Sequence, residues 1–537
     1  MSHVRWACPL LRTLAVFFAV ACFAPAQSDF GSIAGFVKDP TGGVVPNAKV
    51  VIKNEATGEE HPATTNEAGY YIVSNLAPTL YTMTVEVRGF KKFESTHNKL
   101  DPNSTLSLDA SLAVGAATET VEVVASATPL QTESGTVQAL ITRSQIDALE
   151  LNGRNPIYMA SLQPGIRSNG TMGDFNFSLT NGGYSINGAR SQDTIITFDG
   201  APAVRTRANG TGIGVADVDS TQEIQILTAD YAAEYGRAAG GQIRIVSKSG
   251  TTSFHGDAYE YFRNSDLNAN TWTRNQSTLT NFTSPFRYNN FGFTIGGPVY
   301  IPGKFNKNKD RFFFFLGEEW IRIRNTDSQT QTVPTTLMRQ GDFSELLEPN
   351  IFYSKTQVIY DPTTCPSLGA ASCMPFAGNI IPASRLSPNG IAIIRAYPGP
   401  TPNFLSGGVS GVSTSAGNQN WIAQAAHPYN QRSETITSDI LLTSNQRLSF
   451  RRQNFTYFEY QPFDQGSGLT PKYFNRPNQT NSLSWTWTIS PTTVNEARDC
   501  QPGRCLHPGE HLGARLQRTN PRNRLSLSSA ARQGHSP

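Results

Sequence analysis

The chain runs to 537 residues, room for three or more domains at roughly 100–200 residues each. Its 44 basic and 41 acidic side chains leave a net charge of +3, which removes the electrostatic case for nucleic acid. Only 16% of residues are charged, against roughly 25% in ordinary soluble proteins, while 30 Phe and 18 Tyr favour many strands with an aromatic-rich outer face.

Arg5 and Arg12 precede an apolar run from Leu14 to Phe23, too short for a permanent helical anchor. Ala24-Pro25-Ala26 then supplies an A-x-A arrangement, so residues 1–26 read as an export signal cleaved before Gln27. A lipobox ending at Cys22 is the rival reading, weakened by Ala19 three places before it. Nothing further along is long and apolar enough for a membrane helix, which leaves secreted, periplasmic or outer-membrane destinations.

Residues 28–113 alternate short strands with turn residues. "GSIAGFVKDPTGGVVPNAKVVIKN" gives a strand, a turn on Asp39-Pro40-Thr41-Gly42-Gly43 and a second strand from Ala48. "TNEAGYYIVSNLAPTLYTMTVEVRGF" repeats the logic, with turns at Glu67-Ala68-Gly69 and Ala77-Pro78. This spacing predicts an antiparallel β-sandwich. Gly35, Val37, Asp39, Gly42, Pro46, Ala48, Val50, Gly69, Tyr71, Leu76, Pro78 and Tyr81 carry a resemblance to the carboxypeptidase regulatory-like domain. The resemblance implies a transthyretin-like sandwich of the carbohydrate-binding-like fold, with no catalytic group of its own. Thr79 stands where that family usually has glycine.

Residues 114–127, "VGAATETVEVVASA", form a linker. Within it Thr120, Val121, Glu122, Val123 and Val124 have two readings: the sandwich's last strand, or an extended coupling segment that adds a strand to a periplasmic partner.

Residues 128–250 have mixed character. "ITRSQIDALELNGRNPIYMASLQPGI" predicts short helices ended by Gly153 and Pro164. "YSINGARSQDTIITFDGAPA" predicts a pair of strands around Asn187-Gly188, closing on a turn at Asp199-Gly200. "DVDSTQEIQILTADYAAEYGRAAGGQIRIVSKSG" reads as strand, short helix, glycine turn and strand. Phosphate cradles need glycines that open a helix. Here Gly240 and Gly241 open a β-branched alternating run, so they are structural. "GTGIGVAD" from Gly210 lacks the third glycine of a dinucleotide fingerprint, with Val215 in its place. The ordered NGAR stretch with Arg190, the FDG turn with Asp199 and Gly200, and AAGGQIRIVSKSG resemble the plug of TonB-dependent outer-membrane receptors. Thr228 to Asp230 stands where many such transporters carry Arg-Gly-Pro, whose arginine helps lock plug to barrel; Arg237 is the nearest replacement.

From residue 251 the chain becomes amphipathic strands. "FGFTIGG" sets Phe291, Phe293 and Ile295 opposite Gly292, Thr294 and Gly296, and "SLSWTWTIS" sets Leu483, Trp485, Trp487 and Ile489 opposite Ser484, Thr486 and Thr488. An apolar face, a small polar face and aromatics near strand ends predict a transmembrane β-barrel. Cys365 and Cys373 flank "PSLGAAS" in an oxidising compartment, which predicts a local disulfide against the alternative of two free thiols. "FHGDAYEYFRNSDLNANTW", "FRYNNFGFTIGGPVYIPG", "KDRFFFFLGEEWIR", "VPTTLMRQGDFS" and "IPASRLSPNGIAIIRAYPGPTPN", in this order, resemble Oar-like TonB-dependent receptors. Plugged barrels of about 22 strands need on the order of 450 residues, twice what 251–498 supply. Residues 499–537 lose alternation and carry no Phe, Tyr, Trp or Lys, so a truncated receptor with a frame-shifted tail is expected.

The expected fold is therefore mainly β: a sandwich, an α+β plug and a partial antiparallel barrel. The resemblance implies an exported outer-membrane receptor and transporter. Its partners would be outer-membrane lipid, a TonB-type periplasmic coupling protein and an extracellular ligand such as an oligosaccharide, peptide or metal chelate. No catalytic motif, cofactor or metal site is expected. The alternative is a surface adhesin or carbohydrate-binding protein that a barrel anchors, which would need neither plug nor coupling segment.

Overall fold

The computed structural model describes residues 30–501 apart from 103, 116–119, 125–134, 150, 152, 169–182, 206–207, 213, 215–216, 233–234, 237, 271, 276–282, 349–355, 367–372, 401–418, 464–470, 476 and 491–492. The export signal with its Cys22 alternative, Arg237 and the tail beyond 501 lie outside the described residues.

Two sheets form the N-terminal sandwich. Its strands are β1 (Gly31–Lys38), β2 (Lys49–Asn54), β3 (Glu60–Thr64), β4 (Tyr70–Leu76), β5 (Thr79–Glu86), β6 (Lys92–Leu100), β7 (Thr105–Ser107), β8 (Ala110–Ser111) and β9 (Thr120–Val124). One sheet runs β4-β1-β7 with β8 also on β1; the other runs β3-β2-β5-β6-β9. Alternate residues turn inward, so Ile33, Val37, Val50, Ile52, Tyr71, Leu76, Tyr81, Met83 and Val85 fill one core. The polar tips of its tyrosines are satisfied: Tyr71 donates to the Leu108 carbonyl at 2.7 Å and Tyr81 to that of Ala77 at 2.9 Å. At Gly35 the chain before β8 crosses so closely that a Cβ would sit 1.9 Å from the Leu108 oxygen. Only glycine fits there.

The plug begins with β10 (Val137–Ile141) and α1 (Arg143–Ala148), followed by a 3-10 turn at Pro156–Leu162. Thr142 and Gln145 form a reciprocal capping box at the start of α1. The helix ends at Ala148, short of Gly153, whereas the 3-10 turn ends at Leu162, two residues before Pro164, as expected ahead of a proline. Next come β11 (Ile166–Ser168), β12 (Tyr184–Ile186), β13 (Thr194–Phe198), β14 (Ala201–Pro202), β15 (Val204–Arg205), β16 (Ala208–Gly212), β17 (Thr221–Ala229) and β18 (Gly241–Ser247). The central sheet runs β10-β17-β18-β13-β14.

The strands flanking Asn187-Gly188 do not pair with each other, which corrects the expected pair. β12 joins β11, while β13 runs parallel to β18. All five β13 residues are buried, so a strand covered on both faces takes a parallel partner from far along the chain. The described residues between β17 and β18 form no helix, contrary to expectation.

The third unit is one antiparallel wall: β19 (His255–Asn264), β20 (Arg287–Pro298), β21 (Phe312–Gln331), β22 (Trp421–Thr443), β23 (Gln446–Gln461), β24 (Lys472–Asn475), β25 (Asn478–Ser490) and β26 (Thr493–Gln501). The order is β19-β20-β21-β22-β23-β25-β26 with β24 also on β23, and among the described residues the sheet does not close. Phe293, Ile295, Leu483 and Ile489 are exposed on the outer face, whereas Thr294, Ser484 and Thr486 are buried on the inner one. Along the outer face Arg432 bridges Glu318 (2.9 Å) and Glu434 (3.1 Å), and Arg452 approaches Glu434 at 3.5 Å. The short β22–β23 turn lies at the end of the wall nearest the sandwich. The long connection between β21 and β22, which holds α2 (Pro388–Ala396), lies at the opposite end.

Candidate functional site

The plug sheet is the centre from which the site is built. Gly240 and Gly241 stand where β18 enters it. Gly241 has φ 144°, and a Cβ there would lie 2.7 Å from the Leu227 oxygen and 2.8 Å from the Ile186 Cδ1. The Gly240 N–H donates to the Asp193 carbonyl at 2.9 Å, so this turn is occupied by the plug's own backbone. Asp199 and Gly200, at φ 45° and 77°, form the two-residue hairpin that returns β13 into β14. The Asp199 carboxylate holds that hairpin to β18, accepting from the Ser247 N–H (2.9 Å) and hydroxyl (2.8 Å). Arg190 sits exposed at the head of a short 3-10 turn without a capping bond.

Sequence reasoning missed Arg244, which is fully buried in β18. Its guanidinium donates to Gln225 (2.9 Å) and to the Tyr235 hydroxyl (3.1 Å), and lies 4.9 Å over the Tyr235 ring. Gln225 in turn donates to the Pro102 carbonyl of the sandwich at 2.8 Å. A charged residue between Ile243 and Ile245, inside a run that alternates as a strand, was the available signal. The result is a polar path from the heart of the plug to the sandwich.

The lock between plug and wall is Arg154, a second residue missed. It follows Gly153 in the left-handed region (φ 51°) and points its guanidinium at the wall. There it lies 4.0 Å over the Tyr261 ring and 4.9 Å over that of Tyr259, pairs with Asp219 of the plug and stands 4.0 Å from Glu319 of β21. Tyr259 donates to the same Glu319 at 3.3 Å. Burial opposes the arginine's charge, but the neighbouring carboxylates Asp219 and Glu319 outweigh it and raise its pKa. Beside it, Asp217 is buried within the plug, and burial pushes its carboxyl above the ordinary range despite bonds from Ser220. Wall and plug approach closely at Gly317, where a Cβ would lie 1.9 Å from the Ser220 oxygen. Arg237, expected in this role, lies outside the described residues.

On the other side of the plug the sandwich is docked. Lys99 approaches Glu223 of β17 at 3.7 Å, and the Thr252 N–H donates to the Ala56 carbonyl at 3.1 Å. Arg447 of the wall pairs with Glu59 and lies 5.8 Å over the Phe30 ring. His61 stands 3.4 Å from Glu59, and burial holds its imidazole below the ordinary range. The segment Thr120–Val124 is β9, parallel to β6 with Lys92 opposite Thr120 and Thr96 opposite Val124.

Beyond the plug, toward the long connection, the inner face of the wall is aromatic and ionic. Tyr288, Tyr429 and Tyr457 cluster there, and His427 bridges Asp327 (2.7 Å) and Glu459 (2.9 Å). Tyr457 also donates to Glu459 at 2.8 Å. In the long connection Cys365 and Cys373 are joined by a disulfide, and Arg385 forks onto Asp361 at 2.7 and 2.8 Å.

Three family models match in succession. Residues 32–113 match the Carboxypeptidase regulatory-like domain, 129–242 the TonB-dependent Receptor Plug Domain, and 246–499 the Outer membrane beta barrel domain. The chain belongs to the TonB-dependent outer-membrane receptors. It resides in the outer membrane, with β19 to β26 as part of the barrel wall. The TonB-dependent transporter Oar of Myxococcus xanthus is 25% identical over 316 residues, covering 56% of this chain and 27% of that protein. The chain thus spans about a quarter of that relative's length. The ferric enterobactin receptor of Pseudomonas aeruginosa is similar at 13% identity and a TM-score of 0.37, over 67% of this chain and 40% of that one. The outer membrane transporter YddB of Escherichia coli is similar at 13% and 0.37, over 66% and 37%.

Proposed function

We propose that the chain serves an energised outer-membrane receptor that admits a large, polar nutrient past its plug. The observation that carries this reading is the seated plug: Arg154 holds the plug sheet to the wall, and a strand that a partner can pull lies just upstream. The partner is a TonB-type periplasmic coupling protein that binds Thr120–Val124 through backbone hydrogen bonds.

The connection gives pulling a defined point of action. Residues 125–136 separate β9 from β10 and, fully extended, reach at most about 40 Å. Force on β9 therefore arrives at β10, which is the edge strand of the plug sheet. An edge strand detaches by losing one ladder of hydrogen bonds, whereas removing β18 would break two.

The ligand enters from the opposite end. Tyr288, Tyr429 and Tyr457, with the ion pairs around His427, offer both ring faces and charged hydrogen-bonding groups, which suits an oligosaccharide, peptide or metal chelate rather than an apolar molecule. The test is Val123→Pro in a receptor with a closed barrel. Proline removes a backbone donor, so energised uptake should be abolished while ligand binding to cells persists. Unchanged uptake would return the segment to the role of linker.

A further inference from the structure

The coupling segment has a place inside the sandwich, and that place has consequences for any partner. β9 pairs with β6 over five positions, from Lys92↔Thr120 to Thr96↔Val124, as the last strand of its sheet. The pairing is parallel, whereas every other pair in that sheet is antiparallel. Parallel ladders are slightly less stable per residue, so this is the sheet's weakest seam. The register pairs two acidic residues, Glu94 and Glu122. Lys92 lies 3.3 Å from Glu94.

The same β6 is what ties this sheet to the plug. Beyond its bulge at His97, where φ is 62°, its far end carries Lys99 toward Glu223, and the following Pro102 receives the hydrogen bond from Gln225. One strand therefore holds the coupling segment along its first half and meets the plug just past its second.

We infer that the sandwich stores the coupling segment as β9, and that the periplasmic partner gains it by strand exchange with β6. This rests on the coupling reading above. β6 and the partner compete for the same backbone donors and acceptors of Thr120–Val124. The sandwich thereby sets how often the segment is free, and the weak parallel seam keeps the exchange accessible. A partner that only added to the open edge of β9 would load the sandwich instead, because β9 would remain attached to β6.

The test is the pair Glu94→Cys with Glu122→Cys in the full chain, at positions the register places opposite each other. The disulfide should form under mild oxidant. Its failure to form would overturn the register and the inference with it. Binding of the purified C-terminal domain of the coupling protein is then compared by calorimetry between the oxidised and reduced forms, beside a synthetic Thr118–Ala125 peptide. The expected result is binding at least tenfold weaker when oxidised, recovered on reduction. Equal binding by both forms, with the peptide binding normally, would overturn the inference and leave the coupling reading intact. A peptide that fails to bind would overturn the coupling reading itself. A second variant, Glu122→Lys, replaces that acidic pair with one of opposite charge. It should weaken partner binding severalfold in the full chain relative to its effect in the peptide; an equal effect in both would count against storage.

Discussion

The plug has two interfaces of different build. Toward the wall, Arg154 packs over the neighbouring rings of Tyr259 and Tyr261, faces two carboxylates and lies next to the contact of Gly317 with Ser220. Toward the sandwich, the described residues place a partly exposed Lys99 3.7 Å from the buried Glu223 of the plug sheet and a hydrogen bond from Gln225 to the Pro102 carbonyl. Stranding a buried charge by removing its partner is costly, whereas a long pair whose cation is partly exposed contributes less. The difference assigns an order of events: the sandwich leaves the plug more readily than the plug leaves the wall.

The sharpest way to break that comparison is Arg154→Ala. It strands Asp219 and the buried Glu319 without their cation, a change worth about 3–5 kcal/mol when a buried pair loses one member. Thermal unfolding followed by protease sensitivity of the plug should show the loss, and Asp219→Ala added to Arg154→Ala should cost much less than the two single changes summed. If Arg154→Ala leaves the plug as resistant as before, the wall interface is no stronger than the sandwich one. Smaller, and within the plug itself, is Gly241→Ala. Its φ of 144° and the 2.7 Å approach to the Leu227 oxygen predict a cost of roughly 1–3 kcal/mol, read in the same melt. A neutral alanine would mean that the glycine turn yields easily and does not fix the entry of β18.

What was legible in the residues divides along the same line. Period-two alternation with one apolar face is a local signal, and it located the sandwich strands and the wall, down to Phe291, Phe293 and Ile295 turning away from Gly292 and Thr294. Turn chemistry is local too, which is why Asp199-Gly200 was found as a hairpin. The plug was harder because its pairings are not local. β13 is completed by β18, whose first residue follows more than forty positions later, and nothing near Asn187 announces that. Arg154 was invisible as a lock for the same reason. Its ion-pair partner Asp219 lies 65 residues on, and its aromatic partners come from the first strand of another unit. In the sequence NGRNP the glycine and proline speak for a turn, and the arginine between them reads as surface. The two readings of Thr120–Val124 were left open because a strand at a sheet edge and a strand offered to a partner have the same composition.

The gentlest probe is pH, and it acts on a third contact, that of the sandwich with the wall. His61 lies on β3 at the contact of the sandwich with the wall, and burial together with the nearby Arg447 charge holds its pKa down, with Glu59 opposing. Freed from that contact, the imidazole returns toward the ordinary value of about 6.5. A group whose pKa is depressed when docked binds fewer protons docked than free, so docking strengthens as pH rises. The contribution is present above about pH 6.5 and is lost as pH falls from there toward the docked value. Arg154 keeps its charge throughout this range, so acidification to pH 5 loosens the sandwich while the guanidinium of the wall lock stays charged. Hydrogen exchange over Gly250–Phe254 is the readout, because the Thr252 N–H is bonded to the sandwich carbonyl of Ala56. After correction for the intrinsic pH dependence, protection there should fall a few-fold between pH 7 and pH 5, and His61→Gln should flatten the change. An unaltered slope in His61→Gln would mean that another group governs the contact between sandwich and wall.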